Sequence, residues 1–401
     1  MKKIALLRNT VQEYAWGSKT AIPELLGRPT PASKPQAELW MGAHPKGPSL
    51  VLCDGMWRSL LELIQESPEE VLGRRTVAKF SHSLPFLFKV IAPAKPLSIQ
   101  AHPTREQARR GFAREDELGI PLDAPHRNYR DENRKSELIC ALTPFWALNG
   151  FRRVKDILGI LEKLEVSSLA NEIASLTDQP DQEGLKRFFH EVMTMESERR
   201  RLVVKQAVCS AEKCAPAGPV WSWLLRLHKE HPGDIGVLSP VFLNLVQLQP
   251  GEAIYIPPGE LHAYLTGTGM ELMSNSDNVL RGGLTRKHVD VKELMAVLTF
   301  TEKEVKLLRK EKLTPAETVY HAPTAEFILS VLCVREACPF TSSRDRSVEI
   351  MICTGGEARV TDLSDGQTTR LTKGTSIIVP AALEQYRIEG NATIYKAAVP
   401  D

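Results

Sequence analysis

No stretch of this chain approaches the roughly 20 consecutive apolar residues that a membrane-crossing helix requires. Neither sign of charge dominates. Lysine and arginine number 51 against 49 aspartates and glutamates, a net charge of +2, which argues against a nucleic-acid or membrane-surface role driven by bulk charge. A glycine-rich phosphate loop of the P-loop type is missing, so no fused nucleotidyl-transfer activity is expected. Cysteines are few and form no framework. The seven (Cys53, Cys140, Cys209, Cys214, Cys333, Cys338, Cys353) are odd in number and scattered. Two pairs have the spacing C-x4-C but no second matching knuckle, so reduced thiols in a cytoplasmic protein are expected. The basic start "MKKIALLRNTVQ" has only Ile4 to Leu7 as an apolar run before Arg8. A first strand is expected there in place of a secretory leader.

What is present is the composition of a globular protein. Of 401 residues, 42% are hydrophobic and 25% charged, enough for two or three domains with real cores. Between residues 152 and 230 the apolar period is helical. Val154, Ile157, Leu158, Leu161 and Leu164 form one stripe, and Leu185, Phe188, Phe189 and Val192 another. "PVWSWLLRLHKEH" forms a third, with Pro219 near its start and "HPGD" as its stop. On both sides the chain reads as short strands bounded by Gly or Pro, such as "PFLFKVIAP", "ELICAL", "AIYIPP" and "SIIVPA". Many such strands predict a barrel or jelly roll, with the helical block inserted into an all-β body. Two local helices are marked by cap spacing: Thr104 with Gln107, ending at Gly119, and Asp290 with Glu293.

A weak internal repeat relates "GEAIYIPPGELHAY" (251–264) to "GTSIIVPAALEQYR" (374–387). Gly251 matches Gly374 and Pro257 matches Pro380. His262 falls on Gln385, so only the first copy can use that position for a metal.

The chemistry-bearing residues lie nearby. In "KPLSIQAHP", Leu97, Ile99 and Ala101 alternate with Ser98, Gln100 and His102, the period of a half-buried strand. Gln100 and His102 therefore share a face. A histidine from another strand, His262 after the P-P-G turn, can meet them at one point inside a small barrel. Glu137 opens the apolar strand "ELICAL", and a carboxylate there needs a partner because an unpaired buried charge is expensive. A metal would supply it. The competing reading of these residues is a plain hydrogen-bonded face with a satisfied barrel histidine. P-G-x-x-H after an apolar strand is similar to the second motif of cupin jelly rolls.

Longer motifs carry a more specific resemblance. "QEYAWGSKTAIPELLG", "AELWMGAHPKGPS", "LPFLFKVIAPAKPLSIQAHPTREQA", "NYRDENRKSELICALTPFWALNGFR" and "IPPGELHAYLTGTGMELMSNSDNVLRGGLTRK" run in order from residue 12 to about 290. In them the chain resembles the type I mannose-6-phosphate isomerase family. The resemblance implies a mainly β architecture of cupin-type jelly-roll barrels with an inserted helical domain. The boundaries expected are 1–151 with 238–320 for the catalytic β-domain, 152–237 for the helices and 321–401 for a C-terminal cupin-like β-domain without a metal site.

It also implies one zinc ion held by Gln100, His102, Glu137 and His262. It implies interconversion of mannose 6-phosphate and fructose 6-phosphate through a cis-enediol. Arg281 in "SDNVLRGGLT" matches the family's essential arginine, and Glu271 and Lys135 match further acidic and basic positions. Lys287, Lys89 and Ser98 are the expected phosphate contacts. The general base stays open between Glu271, Lys135 and a water on the metal. His44 in "GAHPKGPS" is expected in a loop, outside the site. The expected partner is a small phosphosugar alone, with no nucleic acid or membrane, and a monomer in the cytoplasm. The chain departs from the family pattern at Arg134 and Ser136, where N-H-K-P-E reads N-R-K-S-E, and at Arg286, which replaces a proline. Loss of the proline at 136 is expected to loosen the approach to the strand. The alternatives are a metal-dependent cupin acting on another sugar and a non-catalytic sugar-binding cupin.

Overall fold

The structure, a computed structural model, describes residues 1–400. The strand-forming runs on either side of the helical block pair into two antiparallel sheets. One has six strands in the order Ala253–Ile256, Glu137–Ala141, Gly269–Ser274, Phe86–Ile91, Glu38–Met41 and Thr10–Gln12. The other has five: Leu243–Leu248, Phe145–Phe151, His262–Thr266, Gln100–Ala101 and Leu280–Arg281. The apolar cluster of Ile91, Ile139, Ala141, Phe145, Ala147, Ile254 and Tyr264 draws on strands of both sheets, as the inside of a jelly roll does.

The period of two decides which side chains enter this interior. Along Glu137–Ala141, residues 137, 139 and 141 share the inner face. Leu138 and Cys140 point out, yet they are also buried, against a second cluster that includes Ile350 and Ala397 of the C-terminal region. Along His262–Thr266, His262 and Tyr264 point in, whereas Ala263 and Leu265 join a cluster with the helices. Each sheet is thus covered on its outer face, which is why its strands read as nearly continuous apolar runs.

The helical block comprises Val154–Leu164, Ala170–Asp178, Gln182–Thr194, Ser197–Cys214 and Pro219–Glu230, with two short 3₁₀ turns. The expected stripes are its buried faces: Leu185, Phe188, Phe189 and Val192 are each at most 2% exposed. Pro219 stands at the first helical position, where its missing N–H costs nothing. The Thr104–Gln107 capping box is complete on the helix Arg105–Glu117, and Gly119 follows it at φ +67°. Asp290 caps Val291–Val297 by accepting from the Glu293 N–H at 3.0 Å.

A third sheet of eleven strands holds the C-terminal region. Its path runs through Ile328–Val334, Tyr386–Ala398, Glu349–Asp362 and Ser376–Val379, and then continues into Ala5–Arg8, Leu50–Cys53 and Met56–Ser59. Ala5 lies opposite Ile378 in an antiparallel register. Strands from the two ends of the chain therefore share one sheet. The internal repeat is visible in the backbone: Gly251 at φ +82° and Gly374 at φ +86° make the same left-handed turn before their strands, a conformation that favours glycine. Gln385, at the position matching His262, donates to the Ser342 carbonyl at 2.9 Å. All seven cysteines are free. Among the described residues, no helix is long and apolar enough to cross a membrane.

Candidate metal centre

His102, Glu137 and His262 are fully enclosed, and their ligand atoms lie within 4.8 Å of one another. His102 Nε2 is 3.1 Å from one Glu137 oxygen. His262 Nε2 is 3.3 Å from the other. The opposite nitrogens are engaged by backbone: His102 Nδ1 lies 2.8 Å from the Asn278 carbonyl, and His262 Nδ1 lies 3.0 Å from the Glu260 carbonyl. A carbonyl only accepts, so each Nδ1 carries the proton and each Nε2 presents a lone pair. Two lone pairs and a carboxylate then face one another with no proton between them. That donor set is stable around a cation, and nitrogen with carboxylate oxygen suits zinc.

The electrostatics agree at His102, whereas at His262 burial is outweighed by the Glu137 carboxylate, which raises the imidazole above its usual value, an attraction for positive charge that a metal ion would meet. Burial, with Lys135 close by, pulls His102 down to about 3, so it is neutral and ready to ligate. Burial alone would raise the Glu137 carboxyl, but the Lys135 ammonium leads the groups that hold it well below the usual carboxylate range. Lys135 Nζ is 3.1 Å from Glu137 Oε1, and the Tyr264 hydroxyl donates to Glu137 Oε2 at 3.1 Å. Neither Tyr264 nor the Asn278 carbonyl stands out in the sequence. Tyr264 lies two residues after His262 and was open to discovery by strand parity; a carbonyl has no side-chain signature.

Gln100 stands opposite His262 on one neighbouring strand and opposite Arg281 on the other. Its amide donates to Ser98 Oγ at 3.4 Å. The strand expected over "KPLSIQAHP" is regular only at Gln100–Ala101, because Pro96 and Pro103 remove donors at both ends. The rest is still held on both sides: Leu97 N–H to the Tyr264 carbonyl at 2.9 Å, and Ile99 N–H to the Gly283 carbonyl at 3.0 Å.

Beside this point opens a cavity of about 540 Å³, lined by Trp16, Glu38, Ser98, Gln100, Arg281 and Lys287 among others. Arg281 has no acidic partner among the described residues, and burial together with Arg130 lowers its affinity for its proton. Lys287 is lowered by burial, Arg281 and Arg130. Cations crowded together without a counter-ion make an anion site. The helical block closes one side of the mouth, where Lys95 Nζ reaches Glu230 at 2.9 Å. A larger groove of about 790 Å³ between the barrel and the C-terminal sheet is lined largely by small and hydroxyl side chains and gathers no such cluster.

Lys89 and Glu271 lie opposite each other in register, with Lys89 Nζ 2.9 Å from Glu271 and 3.6 Å from Glu38. Burial opposes the charge on Lys89, but the two carboxylates prevail and keep it protonated. Burial raises the Glu271 carboxyl, against the pull of Lys89. The Trp40 indole N–H donates to Glu38 at 2.5 Å. Lys89 is therefore neutralised where it stands. His44 lies in a loop, as expected, but it is buried there and 3.5 Å from Asp277.

Comparison with known proteins gives one consistent result. Residues 4–154 match the family model of the phosphomannose isomerase type I catalytic domain, and residues 317–399 match that of the mannose-6-phosphate isomerase cupin domain. The mannose-6-phosphate isomerase of Escherichia coli K12 is 40% identical over 395 residues, 97% of each chain. The human one is 35% identical over 345 residues, covering 80% of this chain and 79% of that one. The Salmonella typhimurium mannose 6-phosphate isomerase, solved bound to substrate and to a zinc atom, superposes with a TM-score of 0.91 at 37% identity. That match covers 99% of this chain and 100% of the other.

Proposed function

The chain belongs to the type I phosphomannose isomerase family, and from that premise we propose that it is a zinc-dependent isomerase interconverting mannose 6-phosphate and fructose 6-phosphate. The observation that carries this reading is the convergence of two imidazole lone pairs and the Glu137 carboxylate next to a cavity with an unpaired arginine. Zinc there would be held by His102, Glu137 and His262, with Gln100 as the fourth ligand. When bound, it supplies Lewis-acid polarisation of the sugar oxygens.

The chain's own residues account for the remainder. Aldose–ketose exchange moves a proton between C2 and C1 and develops negative charge on oxygen, through a cis-enediol. Arg281 can meet that charge with two parallel N–H donors and stays protonated throughout. Glu271 and Lys135 are the groups assigned to proton transfer. Burial raises Glu271 towards the range where a carboxyl can exchange a proton. Lys287 and Ser98 bind the phosphate at the cavity wall. Lys89, neutralised by two carboxylates, contributes by fixing Glu271 more than as a free cation.

We assign residues 1–151 and 238–320 to the catalytic domain, 152–237 to the helical insertion and 321–401 to the C-terminal β-domain. The free cysteines and near-zero net charge support a cytoplasmic monomer of carbohydrate metabolism with no nucleic-acid or membrane partner. The deciding experiment is turnover on mannose 6-phosphate before and after chelation and zinc re-addition, with His262→Ala as control. Loss on chelation, recovery with zinc and inactivity of the variant are expected. A zinc-loaded wild type that does not turn over mannose 6-phosphate would overturn the reading.

A further inference from the structure

The approach to the metal-bearing strand is held from outside the barrel. Arg134 lies three residues before Glu137. Its Nε donates to Glu326 Oε1 at 2.8 Å, and one Nη donates to the other Glu326 oxygen and to Thr324 Oγ at 3.1 Å. This is a two-pronged guanidinium–carboxylate pair, the geometry in which arginine cannot be replaced by lysine without loss. Glu326 belongs to the C-terminal region, two residues before the strand Ile328–Val334. Its side chain is only 6% exposed. Burial would raise the carboxyl, but Arg134 and Thr324 hold it below its usual range. Arg105 approaches the same carboxylate at 3.7 Å.

The residues immediately after Arg134 belong to the metal centre. Lys135 Nζ contacts Glu137 Oε1 at 3.1 Å, and that same oxygen faces His102 Nε2 at 3.1 Å. Next to Lys135 the backbone is fastened, since the Ser274 N–H reaches the Ser136 carbonyl at 2.9 Å. Ser136 puts no ring restraint on its own φ. Ser136 N–H also donates to Ser274 Oγ at 3.2 Å, and the Asn133 carbonyl accepts from Asn278 Nδ2 at 2.9 Å; between these two anchors the grip on the Arg134 side chain is that of Glu326.

We propose that Glu326, from the C-terminal β-domain, where the described residues hold no metal cluster, is a positioning residue for the metal centre. Through Arg134 it sets where Lys135 and Glu137 stand. The inference rests on the metal-dependent reading above and extends it: the C-terminal domain contributes to zinc affinity across the domain boundary. Partners one step removed from a ligand change metal affinity by about 10- to 100-fold in other sites.

The test measures zinc dissociation constants by chelator competition in the full chain. Melting temperature, kcat and KM are read in parallel. Glu326→Gln keeps the shape and removes the charge; Arg134→Lys keeps the charge and removes the fork. Glu317→Gln, at the buried Lys396–Glu317 pair (2.8 Å) of the eleven-stranded sheet, serves as the control for general destabilisation. We expect Glu326→Gln and Arg134→Lys each to weaken zinc binding about tenfold. The double variant should be little worse than either single one, because both break one link. Glu317→Gln should lower the melting temperature and leave zinc affinity within about twofold, since its partners lie apart from the metal ligands. If Glu326→Gln lowers the melting temperature as the control does and leaves zinc affinity unchanged, the proposal is overturned. Fully additive losses in the double variant overturn it as well. A wild-type chain that takes up no zinc overturns both this inference and the functional reading, whereas zinc binding insensitive to Glu326 overturns this one alone.

Discussion

Gln100 sits directly opposite His262 on the neighbouring antiparallel strand. Their side chains emerge from the same face of the sheet, at the spacing where opposed residues touch. This places the Gln100 side chain on the same face as a histidine whose other nitrogen is fixed by a carbonyl. Gln100→Ala is expected to weaken zinc binding by about 10- to 100-fold while the chain still folds. Chelator competition with circular dichroism on the same samples checks it, and an unchanged dissociation constant would remove Gln100 from the ligand set.

Arg281 is a cation in a cavity with no acidic partner among the described residues. Arg281→Lys keeps the charge and loses the paired donors. The expected effect is a fall in kcat of about 100- to 1,000-fold, in the range seen for removing a donor to a developing oxyanion, with zinc content unchanged. A variant that raises KM alone would mean that Arg281 only binds the phosphate.

Asp277 links two loops, accepting from Lys46 at 2.7 Å and lying 3.5 Å from His44. Burial would raise its carboxyl, but His44 and Lys46 more than offset that and hold it far below its ordinary value of 3.8. The folded state thus prefers the ionised group. Its contribution is whole above the unfolded value and is lost as pH falls through the folded one. Urea midpoints measured from about pH 6 downwards should fall more steeply below about 4 in the wild type than in Asp277→Asn. Parallel curves for the two proteins would show that the carboxylate contributes nothing to acid stability.

Gly111 lies inside the helix Arg105–Glu117, where replacing glycine by alanine ordinarily stabilises by about 1 kcal/mol. Here a methyl carbon would fall 2.4 Å from the Tyr129 ring. That ring cannot retreat easily: it is 1% exposed, and its hydroxyl donates to Glu293 at 2.7 Å. Overpacking costs about 1–3 kcal/mol, so Gly111→Ala should be net destabilising. A raised urea midpoint would show that the ring moves freely.

Much of the site was legible because side-chain parity on a strand is simple. Gln100 and His102 share a face by count, Glu137 is anomalous at the head of an apolar run, and His262 follows a proline-glycine turn. What escaped was set by non-local pairing. Nothing in "MKKIALLR" says that its strand will lie against residues 376–379, since period reveals a face and never a partner. His44 is the loop residue expected, but its burial and its contact with Asp277, far along the chain, left no local signal. The grip of Glu326 on Arg134, from 192 residues further along the chain, left no signal in the sequence around Ser136. The hold of the Asn278 carbonyl on His102 left no trace, because every residue has a carbonyl.

The sheet shared by both ends of the chain bears on how the protein is made. Asn9 donates to Ser376 across 367 residues of sequence, so the strand Ala5–Arg8 has no neighbour on that edge until Ser376–Val379 has been made. A chain emerging amino end first can assemble its helices early, from local contacts. The growing molecule must still carry an open strand edge while all the residues between are made, and exposed edges of that kind recruit other chains. Closing that edge waits on every element in between.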